Sequence, residues 1–84
     1  MTSRQAAKPK GWREDRYRQL VEVLIQARKH RALSQQQLAR LLDRGQPFVS
    51  RYETGERRLD VAEFADVAVA LGLSPSKLIN GIWG

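Results

Sequence analysis

Apolar residues recur at intervals of three and four along most of the chain, and this spacing is typical of helices with one buried face. The first such segment covers residues 13–30. Its apolar side is formed by Tyr17, Leu20, Val21, Leu24 and Ile25. No alternation of apolar and polar residues is long enough to indicate a strand. The pattern therefore predicts an all-α protein.

Residues that favour helix ends divide the remaining chain into four shorter helices. Ser34 can accept a hydrogen bond from the backbone N–H of Gln37, whose side chain can reach back, and Asp60 begins a similar cap. Pro47 suits a first helical turn, where no N–H is needed, and Gly55 can adopt the left-handed conformation of a helix end. The four helices are predicted at residues 34–42, 46–53, 61–71 and 75–80.

Length and composition indicate one folded domain. The 84 residues are 42% hydrophobic and 29% charged, which suits a small domain with a modest core. There is no cysteine and only one histidine, His30, so we expect neither disulfides nor a metal site, and no cofactor. Residues 1–12 contain no periodic apolar residue and predict a flexible basic arm. No apolar run is long enough for a membrane helix, and a cytoplasmic protein is expected.

The charge is positive and unevenly distributed. The formal net charge is +6. Residues 1–31 carry nine Lys or Arg against three acids, whereas residues 59–84 carry one against three. An excess of this kind favours a polyanionic partner such as nucleic acid.

The two short helices between residues 34 and 53 are separated by a tight turn, which is the spacing of a helix-turn-helix. The letters SQ at residues 34–35, LA at 38–39, VSRYE at 49–53 and the glycine at 55 resemble the phage-repressor/Cro-like (Xre-type) helix-turn-helix family. The resemblance covers roughly residues 16–80. It implies a compact five-helix, lambda-repressor-like DNA-binding domain, and usually a homodimeric regulator.

The resemblance also implies details of the turn and of one ion pair. Family members commonly have glycine where this chain has Asp43, and a capping Ser or Thr where it has Gly45. Aspartate tolerates the left-handed conformation better than most residues, and glycine is an acceptable helix cap. Members also hold an arginine of the first helix against the glutamate that ends the third. The corresponding residues, Arg28 and Glu53, are expected to form a structural ion pair.

The third helix is expected to read DNA bases. With Val49 turned toward the core, the opposite side faces outward, and Arg51 on that side can donate two parallel hydrogen bonds to guanine. Gln46, at the start of the helix, suits adenine. Pro47 and Phe48 can contact a thymine methyl, although Phe48 is equally suited to the core.

Other residues are expected to contact the DNA backbone. Gln35 lies in the first turn of the second helix, where free N–H groups favour a phosphate, and the family uses this position in that way. Arg4, Lys8 and Lys10 of the arm are candidates for the minor groove. The remaining expected phosphate contacts are Arg44, Ser50, Thr54, Arg57 and Arg58.

Two functions remain open. The first is a sequence-specific regulator, a repressor or autoregulator, that binds double-stranded DNA as a homodimer on a pseudo-palindromic operator. The second is an antitoxin or accessory module that uses the same fold to bind a protein partner. An enzyme is not expected, because no catalytic motif occurs in a recognisable setting. Either a dimer interface or a cap on the core would explain a group of apolar residues near the C-terminus, namely Leu78, Ile79, Ile82 and Trp83.

Overall fold

The computed structural model describes residues 10–84, with side chains from residue 15 onward. This part of the chain forms five helices and no strand, which confirms the all-α prediction. None of its helices has the length and apolar character needed to cross a membrane. The helices are α1 (Lys10–His30), α2 (Gln35–Leu41), α3 (Gln46–Thr54), α4 (Val61–Ala70) and α5 (Pro75–Trp83).

Helix α1 begins at Lys10, inside the segment that the sequence assigned to an arm. Gly11 is part of the helix. A glycine inside a helix costs about 1 kcal/mol relative to alanine, which is too little to exclude it by itself. The rest of the predicted arm, residues 1–9 with Arg4 and Lys8, lies outside the described residues, as does the side chain of Lys10.

Helix α5 continues to Trp83, past the end predicted near Asn80. It includes Gly81, although glycine commonly follows the last residue of a helix. Ile82 packs against the core and supports this last turn, so the helical cost of the glycine is offset by burial.

Two reciprocal caps determine where α2 and α4 begin. The hydroxyl of Ser34 accepts from the N–H of Gln37 at 3.0 Å, and the Gln37 side chain accepts from the N–H of Ser34 at 2.8 Å. Asp60 and Glu63 exchange the same bonds at 2.7 and 3.0 Å. Each pair satisfies backbone donors that the first turn leaves free, and a cap of this kind contributes about 1 kcal/mol.

The turn between α2 and α3 depends on two residues. Asp43 has a φ of 56°, in the left-handed region. Gly45 caps α3 in an extended conformation, without a side-chain hydrogen bond. At the far end of α3, Gly55 has a φ of 88°, which reverses the chain after the helix.

One core joins the helices. Helix α2 packs against α3, α1 packs against both α3 and α5, and α4 packs against α5. Burying one large aliphatic or aromatic side chain contributes about 1.5–3 kcal/mol, so this cluster holds the α2–α3 pair in place. The buried apolar residues are Leu20, Val21, Leu24, Leu38, Ala39, Val49, Tyr52, Phe64, Val67, Ala68 and Leu71.

Candidate nucleic-acid interface

Helix α3 has one buried side and one exposed side. Val49 and Tyr52 are completely buried. Because a helix has 3.6 residues per turn, positions on the side opposite these two residues face outward. The exposed side chains of α3 are Gln46, Pro47, Arg51 and Thr54.

The side chain of Arg51 is open to solvent at this surface. Its Nε atom lies 3.9 Å from Glu56 Oε1, and these side chains are 61% and 69% exposed. An ion pair so open to water contributes little, because solvent and salt screen it. The half-buried Ser50 donates to the carbonyl oxygen of Pro47, and Thr54 donates to that of Arg51, each at 3.2 Å.

Two glutamines connect the beginnings of α2 and α3. Gln46 Nε2 donates to Gln35 Oε1 at 3.1 Å, and Gln35 Nε2 donates to Glu53 Oε1 at 2.9 Å. Gln35 is half-buried and Gln46 is exposed. The chain of hydrogen bonds orients both amides at the outer surface of the helix pair.

Arg28 and Glu53 form a buried ion pair behind this surface. Arg28 Nε and Nη2 donate to the two carboxylate oxygens of Glu53 at 2.7 and 3.1 Å, and Arg28 Nη1 donates to the carbonyl oxygen of Leu33 at 2.7 Å. The two side chains are only 10% and 7% exposed. The desolvation of buried charges offsets much of their attraction, so the pair serves mainly to fix α1, the α1–α2 turn and α3 relative to one another.

Phe48 lies against the core and not on the open side of α3. It is half-buried and packs edge-on against Tyr52, with ring centroids 5.6 Å apart. The guanidinium carbons of Arg44 and Arg57 lie 4.4 and 5.0 Å from the centre of its ring. Of the two roles open to Phe48 from the sequence, this position favours the core.

Glu63 connects the same two arginines. Its carboxylate accepts from Arg57 at 2.6 and 2.8 Å and from Arg44 at 3.4 Å. Hydrogen bonds from Arg57 and from the backbone N–H of Asp60 lower the pKa of Glu63 to about 2, so it is ionised at neutral pH. The sequence showed the Asp60-x-x-Glu63 cap spacing, but nothing local indicated that this carboxylate would reach Arg44.

Arg58 covers Tyr17 at the other end of α3. Its guanidinium carbon lies 4.1 Å from the centre of the Tyr17 ring. The Tyr17 hydroxyl accepts from the N–H of Leu59 at 3.0 Å. The exposed Arg58 thus lies at the edge of the helix pair, with its ring contact limiting its freedom.

A cavity of about 120 Å³ lies between α1 and the end of α3. Tyr17, Arg18, Glu22, Tyr52 and Gly55 are among its lining residues. Among the described residues, nothing forms a hydrogen bond with the buried hydroxyl of Tyr52, and burial raises its pKa above the ordinary value. Among residues 15–84, whose side chains the structure describes, no cluster of three or more acids or histidines could hold a metal ion.

The apolar residues of α5 divide between core and surface. Leu78 and Ile82 are half-buried against the core. Ile79 and Trp83 are 39% and 42% exposed, and the guanidinium of Arg16 lies 5.9 Å from the Trp83 ring. The positions of Leu78 and Ile82 thus fit a cap on the core, while a dimer interface through this group stays a prediction.

Comparisons with known proteins agree with this architecture. The family model for a helix-turn-helix domain matches residues 19–78. Among solved structures, the chain is similar to an XRE-family like protein from Pseudomonas syringae pv. tomato str. DC3000, with 40% identity and a TM-score of 0.83 over 87% of this chain and 89% of that chain. No curated protein matches it. The chain therefore belongs to the Xre-type family of helix-turn-helix DNA-binding regulators, as its sequence predicted.

Proposed function

We propose that this protein is a sequence-specific transcriptional regulator, a repressor or autoregulator, that places α3 in the major groove of double-stranded DNA. One observation carries the proposal: Gln46 and Arg51 project from the open side of α3 while Gln35 lies beside Gln46. Helix-turn-helix proteins place base-reading and backbone-binding side chains close together in this way. Such a regulator works where the DNA is, so a bacterial cytoplasm is the expected compartment.

Each exposed side chain of α3 has a chemical role in this proposal. Arg51 donates two hydrogen bonds to a guanine, Gln46 pairs with an adenine, and Pro47 contacts a thymine methyl. Phe48 does not read a base in this proposal, because the guanidinium groups of Arg44 and Arg57 stack on its ring. Gln35 binds a phosphate at the beginning of α2.

The backbone contacts fix the register of the helix on the duplex without reading its sequence. Their positions around α3 support this assignment, because the arginines lie before and after the helix and the hydroxyls lie on it. The side chains assigned to phosphates are Arg44, Ser50, Thr54, Arg57 and Arg58.

The regulator is proposed to act as a homodimer on a pseudo-palindromic operator, with half-sites about one helical turn apart. The exposed pair Ile79 and Trp83 supports an interface through α5. The same pair supports the alternative function, in which a protein partner of an antitoxin or accessory module covers α5.

The first prediction tests base reading by Arg51. Selection from a random duplex library should enrich one motif, and Arg51→Ala should weaken binding to that motif by about 1–3 kcal/mol and relax the preference at one position. Arg31→Ala is the matched control, because it removes the same charge from a guanidinium that lies against Gly72, between α4 and α5. Affinities are measured by fluorescence anisotropy at several salt concentrations.

Three results would count against the proposal. Selection could enrich no motif, affinity could be independent of salt although phosphate contacts release counterions, or Arg31→Ala could weaken binding as much as Arg51→Ala. A protein partner that Arg51→Ala still binds, while DNA binding is abolished, would support the alternative function.

A further inference from the structure

Both carboxylate oxygens of Glu63 accept hydrogen bonds from groups within the protein. Oε1 accepts from Arg57 Nη1 at 2.8 Å and from the N–H of Asp60 at 3.0 Å. Oε2 accepts from Arg57 Nη2 at 2.6 Å and from Arg44 Nη2 at 3.4 Å. A carboxylate has roughly four acceptor positions, and this arrangement occupies all of them. Glu63 is therefore a fixed anchor for two arginines that are 13 residues apart in sequence, at positions 44 and 57.

The ring of Phe48 gives each arginine a second point of contact. The guanidinium carbons lie 4.4 Å (Arg44) and 5.0 Å (Arg57) from its centre, and the ring itself is held against Tyr52. A planar guanidinium that both stacks on a ring and binds a carboxylate has few remaining rotamers. The two long side chains are thus ordered in the protein alone.

The cluster is buried on its acidic side and open on its basic side. The Glu63 side chain is 9% exposed, whereas those of Arg44 and Arg57 are 42% and 40% exposed. Arg44, Arg57 and Glu63 together carry a net charge of +1, and the exposed Asp66 lies beside them. A guanidinium has five N–H donors, and Glu63 occupies only one from Arg44. Donors therefore remain for an anion that approaches from solvent.

We infer that Glu63 is a positioning residue for DNA-backbone binding, which holds Arg44 and Arg57 against Phe48 so that they meet the phosphates as one preformed unit. The inference rests on the proposed function. Its physical basis is that ordering two long side chains during folding removes that entropy cost from binding. The planar, multiply bonded guanidinium then keeps the geometry that phosphate oxygens need.

Simple charge repulsion by Glu63 would change DNA affinity in the opposite direction from positioning. If its negative charge mainly repelled phosphates, removal of the charge would tighten DNA binding. If it positions the arginines, removal weakens binding even though the protein becomes more positive. One affinity measurement therefore separates the two effects.

The second prediction concerns Glu63→Gln. Glutamine can still complete the cap of α4, but it loses the charge and one of the two acceptor oxygens. Glu22→Gln is the matched control, since it makes the same chemical change at an exposed position of α1, outside the residues that surround Arg44 and Phe48. Anisotropy titrations of the selected duplex should show that Glu63→Gln binds roughly tenfold more weakly than Glu22→Gln. The log–log slope of affinity against salt should become shallower by about 0.9 for each phosphate that the variant no longer neutralises.

Two further variants test whether Glu63 acts through the arginines. When Arg44→Ala and Arg57→Ala are combined, adding Glu63→Gln should not weaken binding further, because the residues it positions are absent. Arg57→Lys keeps the charge but not the paired contact, and it should also weaken binding. This variant changes a loop residue, so it still decides the question if Glu63→Gln fails to fold, as judged by circular dichroism.

The outcomes distinguish this inference from the proposed function. A wild-type protein that binds no duplex overturns both. If the wild-type protein binds its selected duplex and Glu63→Gln binds it as tightly as Glu22→Gln or more tightly, the inference alone is overturned. Wild-type affinity in Arg57→Lys would also overturn it, because charge without geometry would then be sufficient.

Discussion

Ala32 and Asp43 both have left-handed backbones, with φ of 58° and 56°. This conformation costs most residues roughly 1–2 kcal/mol, because Cβ crowds the following carbonyl oxygen. Aspartate tolerates it better than alanine. At Ala32, Leu33 is held from both sides by Arg28: its N–H donates to the Arg28 carbonyl oxygen at 3.1 Å, and its carbonyl oxygen accepts from the Arg28 guanidinium at 2.7 Å. The chain therefore turns here despite the strain.

The third prediction relieves that strain. Ala32→Gly should raise the free energy of unfolding by about 1 kcal/mol, since glycine has no Cβ to crowd. The control is Ala62→Gly, at an exposed position in α4, which should lower the free energy of unfolding by up to about 1 kcal/mol. Urea denaturation followed by circular dichroism measures both. A loss of stability in both variants would show that Ala32 is not strained.

The two left-handed residues differ in how far the sequence could indicate them. Asp43 was expected because the family commonly has glycine at its position. Ala32 was not: a break between residues 30 and 34 was predicted, but alanine is the strongest helix former and does not indicate a left-handed residue. Its conformation closes the end of α1, where the N–H groups of Ala32 and Leu33 donate to the carbonyl oxygens of Lys29 and Arg28 at 2.9 and 3.1 Å.

At the scale of helices, two tyrosines from α1 and α3 make a natural comparison. The hydroxyl of Tyr17 accepts from the N–H of Leu59 and so joins α1 to the segment before α4. The hydroxyl of Tyr52 is buried without a partner among the described residues. A hydroxyl that pairs with a backbone N–H stabilises the fold, whereas an unpaired buried one destabilises it.

The fourth prediction follows from this difference. Tyr17→Phe should lower the free energy of unfolding by about 1–2 kcal/mol, because the Leu59 N–H loses its acceptor. Tyr52→Phe should leave it unchanged or raise it by up to about 1 kcal/mol. Urea denaturation of the two variants measures the contrast. An equal loss of stability in both variants would contradict the prediction.

The residues at which helices begin were more predictable from the sequence than the contacts between helices. Ser34 with Gln37, and Asp60 with Glu63, are three residues apart, so their caps form within a single turn. The start of α1 and the end of α5 were harder, because a glycine near a helix end has a cost that tertiary packing can exceed. Glu63 makes both kinds of contact. Its cap with Asp60 is local, whereas Arg44 and Arg57 come from other segments.

At the scale of the whole molecule, α5 has one side in the core and one side open to a partner. Leu78 and Ile82 complete the core, while Ile79 and Trp83 lie one turn apart on the exposed side. Two side chains bury far less than the roughly 800 Å² per partner of a standard interface. A dimer formed there is expected to be weak in solution and favoured when both copies lie on one operator.

The fifth prediction is an oligomeric state that depends on this pair. Analytical ultracentrifugation should detect a monomer–dimer equilibrium, and Ile79→Ser combined with Trp83→Ser should shift it to monomer. The same variant should lose cooperative binding to a two-half-site duplex. Val69→Ser is the control, because Val69 is 65% exposed on α4 and lies outside the proposed interface. A wild-type monomer that binds both half-sites independently would contradict the proposed homodimer.

The sequence by itself determined the helical fold, the helix-turn-helix and the family. Those features depend on residues within a few positions of one another: the spacing of apolar side chains, the caps and the motif around α2 and α3. Only the tertiary structure decided which surface groups meet, such as Glu63 with Arg44, and which apolar residues of α5 enter the core. The physical reason is that such contacts join segments far apart in sequence, whose encounter depends on how the helices pack.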